Sequence, residues 1–137
     1  MLRKPERGLF VTGTDTEVGK TYVSAIIARS IAAAGNSVGV YKPIASDCIR
    51  EGDQVYSPDA VALWESAGRP LKLADVCPQR FEAPMAPHLA AKAEGKSVDS
   101  DLLRTGIERW TGNCDIVIVE GAGGLMSPIS DDEYFAD

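Results

Sequence analysis

The sequence predicts an open α/β fold: a parallel sheet flanked by helices. Three observations predict it. Apolar, strand-like runs alternate with helical patterns along the chain, the order that builds a parallel sheet. The run Asp115-Ile116-Val117-Ile118-Val119-Glu120 holds four consecutive β-branched apolar residues, which marks burial on both faces. The first apolar run, Leu9-Phe10-Val11, passes through a glycine-containing loop directly into a helical pattern.

Taken in order, Leu9 to Thr12 reads as a short buried strand and Lys20 to Ala34 as a helix. That helix is apolar around most of its circumference, as expected of one packed on a sheet. Gly35-Asn36 stops it. Val38 to Tyr41 is a second strand, ended by Lys42-Pro43, and a polar loop follows from Ser46 to Tyr56. Ser57-Pro58-Asp59 starts a helix: the serine caps, the proline suits the first helical position, and the aspartate meets the helix dipole. This helix stops at Gly68. Pro78, Pro84 and Pro87 break the stretch from Cys77 to Pro87 into a loop. A short helix runs from His88 to Glu94, and Asp99 or Ser100 caps another that ends near Trp110-Thr111-Gly112. The run from Asp115 to Glu120 is the third strand, and Gly121 to Gly124 a loop. Three parallel strands are few for such a sheet, and no closing element follows Tyr134 to Asp137. Residues 1–137 therefore read as one domain, incomplete at its C-terminus.

Composition narrows the classes of function. A hydrophobic content of 45% supplies a core. A net charge of −6 argues against a nucleic-acid or anionic-membrane surface. No apolar run reaches membrane-spanning length. Cys48, Cys77 and Cys114 have no paired spacing and read as reduced, buried thiols, which makes the cytoplasm the default location.

The segment Gly13-Thr14-Asp15-Thr16-Glu17-Val18-Gly19-Lys20-Thr21 lies between a strand and a helix. That is the setting of a phosphate-binding loop, in which backbone N–H groups and the helix N-terminus face an anion. Lys20 would reach the terminal phosphates, and the Thr21 hydroxyl would bind Mg²⁺. The loop is one residue longer than the common form, since Thr14 stands where the first glycine would. In open α/β sheets ligands sit beyond the carboxyl ends of strands, which also selects Lys42 and Glu120. An acid ending an apolar strand is the usual partner of a phosphate loop, holding Mg²⁺ directly or through water. Lys42 either projects over the sheet edge toward phosphate or is a solvated lysine. Ser46 either contacts substrate or begins a loop. His88, the single histidine, reads as structural.

Taken together these residues resemble dethiobiotin synthetase. The resemblance rests on Phe10 to Thr21, Tyr41-Lys42-Pro43-Ile44-Ala45-Ser46, Ser57-Pro58-Asp59-Ala60, the Pro84-to-His88 segment and Val119 to Gly124, in that order. It implies a P-loop NTPase-like sheet and a ligase that closes a ureido ring in biotin synthesis. The implied substrates are 7,8-diaminononanoate, CO₂ (or bicarbonate) and ATP, with Mg²⁺ as cofactor. By the same resemblance Lys42 and Lys20 would be the catalytic lysines. Glu17, Val18, Gly19, Lys20, Thr21, Tyr22, Asp59, Glu120, Gly121, Ala122 and Gly123 would line the ATP site. Thr21, Asp59 and Glu120 would bind Mg²⁺, and Ser46 and Thr16 the substrate. The full-length family member is expected to be a homodimer, with neither nucleic acid nor membrane as partner.

Two other readings stay open. A partitioning or septum-placement switch ATPase would share the fold, but its loop carries an additional lysine where this chain has Asp15. A truncated chain without activity is the other.

Overall fold

The computed structural model describes residues 7–13, 19–124 and 127–134. In chain order the elements are β1 (Gly8–Gly13), α1 (Lys20–Ala33), β2 (Val38–Tyr41), β3 (Ile44–Ala45), β4 (Ile49–Glu51) and β5 (Gln54–Tyr56). They continue with α2 (Pro58–Ser66), α3 (Leu73–Val76), β6 (Gln79–Arg80), α4 (Pro87–Ala93), α5 (Ser100–Thr105), a 3₁₀ turn (Gly106–Trp110) and β7 (Ile116–Gly124).

The β-branched run becomes the middle of the main sheet. Strand order is β1-β7-β2 and every pairing is parallel. Gly8 pairs with Val117 and Phe10 with Val119 on one side of β7, and Val38 pairs with Ile116 and Tyr41 with Val119 on the other. Val117 and Ile118 are buried, as a strand covered on both faces requires. Parallel pairing brings the carboxyl ends of all three strands to one edge, and the site is built there.

The first strand is not the buried one that its apolar residues suggest. Leu9 is 39% and Phe10 43% exposed. β1 lies at the sheet edge, paired only with β7, so apolar content alone does not bury it. Helix α1 likewise turns small residues inward: Ser24, Ala25 and Ala28 are buried, while Tyr22, Val23 and Ile26 are exposed. Alanines allow close approach to the sheet, and the larger side chains are left outside.

Three loops of the sequence reading carry strand. The polar segment Ser46–Tyr56 contains the antiparallel hairpin β4–β5, whose turn includes Gly52 at φ 60°. Within Cys77–Pro87, β6 pairs in parallel with β3, Ile44 opposite Gln79 and Ala45 opposite Arg80. The glycines Gly121 to Gly124 continue β7, and Gly13 pairs with Gly124. Helix α3 had no signal in the sequence. The helix expected to reach Trp110 divides into α5 and the 3₁₀ turn. Ser57 caps α2 as expected, its hydroxyl accepting from the Ala60 N–H at 3.2 Å, and Asp99 caps α5 in the same way through Leu102.

The main core gathers Val38, Val40, Tyr41, Leu63, Val76, Trp110, Val117 and Ile118. A smaller cluster of Ile44, Phe81, Ala90, Ala91 and Ile129 lies under the second sheet. Cys48 and Cys77 are buried free thiols and Cys114 is half-buried. Among the described residues no helix is long and apolar enough to cross a membrane.

Two predictions follow from the packing. The Tyr41 hydroxyl donates to the carbonyls of Leu102 and Leu103 at 3.3 and 3.1 Å. A Cβ at Gly106 would stand 2.2 Å from that oxygen. Gly106→Ala is expected to cost about 1–3 kcal/mol by overpacking, read as a lower denaturation midpoint. Burial pushes the Cys77 thiol up to about 12. A raised folded-state value means that stability is full below the ordinary thiol value of about 8.5 and is lost as pH rises toward the folded one. The loss for this thiol approaches ~1.4 kcal/mol per pH unit. Melting temperature should fall between about pH 9 and about pH 11, and Cys77→Ala should flatten that slope; an unchanged slope would refute the assignment.

Candidate functional site

Strand β1 ends at Gly13 and α1 starts at Lys20, so the chain makes the strand–loop–helix passage that the sequence predicts. Thr14 to Val18, and with them the candidates Thr16, Glu17 and Val18, lie outside the described residues. On the helix side, the Lys20 ammonium donates to the Gly123 carbonyl at 2.8 Å. Gly123 has φ 78°, a left-handed conformation that residues with a Cβ rarely adopt. The glycine thus turns the end of β7 so that its carbonyl meets the lysine.

Glu120 organises the rest. Its side chain is 1% exposed and that of Lys42 6%, and their charged atoms are 3.1 Å apart. The Thr21 hydroxyl donates to the same carboxylate oxygen at 2.7 Å. The Asp59 carboxylate, in the first turn of α2, lies 4.0 Å from the Lys42 ammonium. Four elements therefore converge: α1 supplies Thr21, the end of β2 supplies Lys42, α2 supplies Asp59 and β7 supplies Glu120. Lys42 is held from both sides, because Pro43 restricts its backbone to extended forms and its own N–H donates to the Val76 carbonyl at 2.8 Å. Of the two fates considered for Lys42 in the sequence, the solvated one is not observed: the side chain is buried against an acid at the carboxyl-end edge of the sheet, in the wall of the cleft described below.

Among the described residues Oε2 of Glu120 is buried without a hydrogen-bond partner. The surrounding donors are a hydroxyl and carboxylates, the hard oxygen ligands that suit Mg²⁺. No group of three or more His, Cys, Asp and Glu gathers among the described residues, so any cation here would share its shell with Thr21, phosphate or water.

These groups open into a cleft of about 870 Å³. Every described site candidate lines it: Gly19, Lys20, Thr21, Tyr22, Lys42, Ser46, Asp59, Glu120, Gly121, Ala122 and Gly123. His88 is not in its wall. The sequence reading missed other wall residues, among them Asp47, Met85, Ser127 and Pro128. Met85 lies in the proline-rich stretch, where the spacing of Pro84 and Pro87 was a signal. Ser127 had none; it reaches the site because its hydroxyl accepts from the Gly124 N–H at 2.8 Å.

Residues 7–137 match the AAA domain family. The chain belongs to that family. The chain is 54% identical over 125 residues to the ATP-dependent dethiobiotin synthetase of Rhodopirellula baltica, covering 90% of this chain and 49% of the relative. It is 40% identical over 128 residues to an ATP-dependent dethiobiotin synthetase of Escherichia coli strain K12, covering 93% and 57%. A third, from Caulobacter vibrioides, is 38% identical over 128 residues, covering 92% and 58%. The chain spans about half the length of the curated relatives it matches.

The buried pair makes a stability prediction for this AAA domain. Lys42→Met strands the Glu120 carboxylate in the interior and is expected to cost about 3–5 kcal/mol. The double variant Lys42→Met/Glu120→Leu removes both charges and should recover most of that loss in urea denaturation. Additive losses in the double variant would show that the two groups do not act as a pair.

Proposed function

We propose that this chain carries the phosphoryl-transfer site of an ATP-dependent dethiobiotin synthetase. The observation that carries the reading is Lys42: a lysine buried at the carboxyl ends of the strands, sharing one Glu120 oxygen with Thr21 and lining the same cleft as Lys20. The relatives' names and the order of the shared segments support the same reading.

In the proposed reaction one amine of 7,8-diaminononanoate adds to CO₂ and loses a proton, giving a carbamate. A carbamate oxygen attacks the γ-phosphorus of ATP and ADP leaves, giving a carbamic–phosphoric anhydride. The second amine attacks the carbonyl carbon, phosphate departs with the bonding pair, and a proton is released as the ureido ring closes. Two anions, carbamate and triphosphate, must meet, so the site has to supply positive charge where charge builds up. Lys42 and Lys20 are placed to do this in a cleft partly shielded from water. Glu120 would hold the Lys42 ammonium in position. Gly19, Tyr22 and the backbone of Gly121 to Gly123 would line the nucleotide, joined by Glu17 and Val18 of the loop. Thr21, Asp59 and Glu120 would hold Mg²⁺, which supplies charge neutralisation at the phosphates when bound. Ser46 and Thr16 would contact the diamine and its carbamate. The reading also carries a cytoplasmic location and a homodimeric full-length enzyme.

The test is ADP release with Mg-ATP and bicarbonate, with and without 7,8-diaminononanoate. Release that depends on the diamine is the expected result. Release indifferent to it would instead favour a switch ATPase, the reading that Asp15 argues against. Lys42→Arg keeps a cation beside Glu120 but replaces a compact ammonium with a wider planar group. Turnover should fall by about 10- to 100-fold, about 1.4–2.7 kcal/mol of barrier, with little change in melting temperature. Near-normal turnover would remove Lys42 from the catalytic role.

A further inference from the structure

We infer that Asp47 is a specificity residue of this cleft, receiving an ammonium group of the diamine; the inference rests on the synthetase reading above. Asp47 has φ 54°, in the left-handed region, although it is not a glycine. Its neighbours fix it there. The Asp47 N–H donates to the Ala83 carbonyl at 3.2 Å and the Cys48 N–H to the Phe81 carbonyl at 3.0 Å. Cys48 is buried, and its thiol donates back to the Ala45 carbonyl at 3.6 Å. The chain from Tyr41 to Ala45 is buried, Ser46 is half-buried, and Asp47 alone in this stretch is exposed, in the wall of the cleft.

An aspartate usually occupies this backbone region by hydrogen-bonding its carboxylate to nearby backbone. Here no hydrogen bond or ion pair engages the Asp47 side chain among the described residues. The other two acids of the cleft already face a cation: Glu120 at 3.1 Å and Asp59 at 4.0 Å from the Lys42 ammonium. Asp47 is therefore the cleft acid left with an open carboxylate, in a backbone conformation that glycine would adopt with less strain.

An alkyl diamine near neutral pH carries an ammonium, a group of three donors that a carboxylate accepts well. The amine that takes up CO₂ must be neutral to react. The other can stay protonated, held by Asp47, until it gives its proton to water and attacks as the neutral amine. A substrate lacking the second amine would lose this contact, so the residue selects for the diamine.

The experiment is calorimetric titration of the chain with 7,8-diaminononanoate and, separately, with Mg-ATP, for wild type, Asp47→Asn and Asp47→Gly. Both variants should bind the diamine at least ~tenfold more weakly and Mg-ATP within about twofold of wild type. Asp47→Gly should melt at the same temperature or higher, because glycine accepts the left-handed backbone without strain. A purely structural aspartate would give the opposite pattern, with lower melting and both ligands weakened, and that result would overturn the assignment. Equal diamine affinity in wild type and Asp47→Asn would overturn it too, while leaving the synthetase reading standing. Absence of diamine binding to the wild-type chain, with or without Mg-ATP, would overturn both.

Discussion

The site depends on one buried carboxylate. Glu120 lies within the central strand in an environment nearly free of water, where an unpaired charge costs several kcal/mol. Lys42 and Thr21 meet that demand at a single oxygen, 3.1 and 2.7 Å away. Each partner belongs to a different element, so satisfying the carboxylate also fixes where α1 and the end of β2 lie relative to β7. Under the proposed function, structure and chemistry would share the same atoms here.

The end of β7 has a second function. Beyond Glu120 the strand runs through glycines that stay close to the cleft wall, and the carbonyl of Gly123 meets Lys20. Both lysines therefore rest on one strand. Each ammonium meets a different oxygen of β7, Lys20 the Gly123 carbonyl and Lys42 the Glu120 carboxylate.

Much of this architecture was legible in the sequence because the relevant signals are local. Four β-branched residues in a row describe a strand covered on both faces, and Ser57-Pro58-Asp59 describes a helix start whatever surrounds it. The site was legible as a set of residues, since the strand-end rule selects Lys42 and Glu120 without coordinates. What was not legible depends on contacts distant in the chain. Leu9 and Phe10 look like core residues, yet a strand at the sheet edge leaves them exposed. Gly121 to Gly124 look like a loop, but pairing with Gly13 keeps them extended. The burial of Lys42 depends on Val76, Asp59 and Glu120 arriving from three other elements. Asp47 drew no attention because nothing in its sequence neighbourhood reveals a positive φ.

The order β1-β7-β2 has a consequence for biogenesis. The two outer strands never touch; each finds its only partner in the main sheet in a segment near the far end of the chain, Gly8 with Val117 and Val38 with Ile116. A nascent chain emerging from the ribosome would thus carry these two strands unpaired with β7 until the segment from Ile116 to Gly124 has been made. Non-local pairing of this kind closes large loops and slows folding, and unpaired apolar edges invite association while they wait.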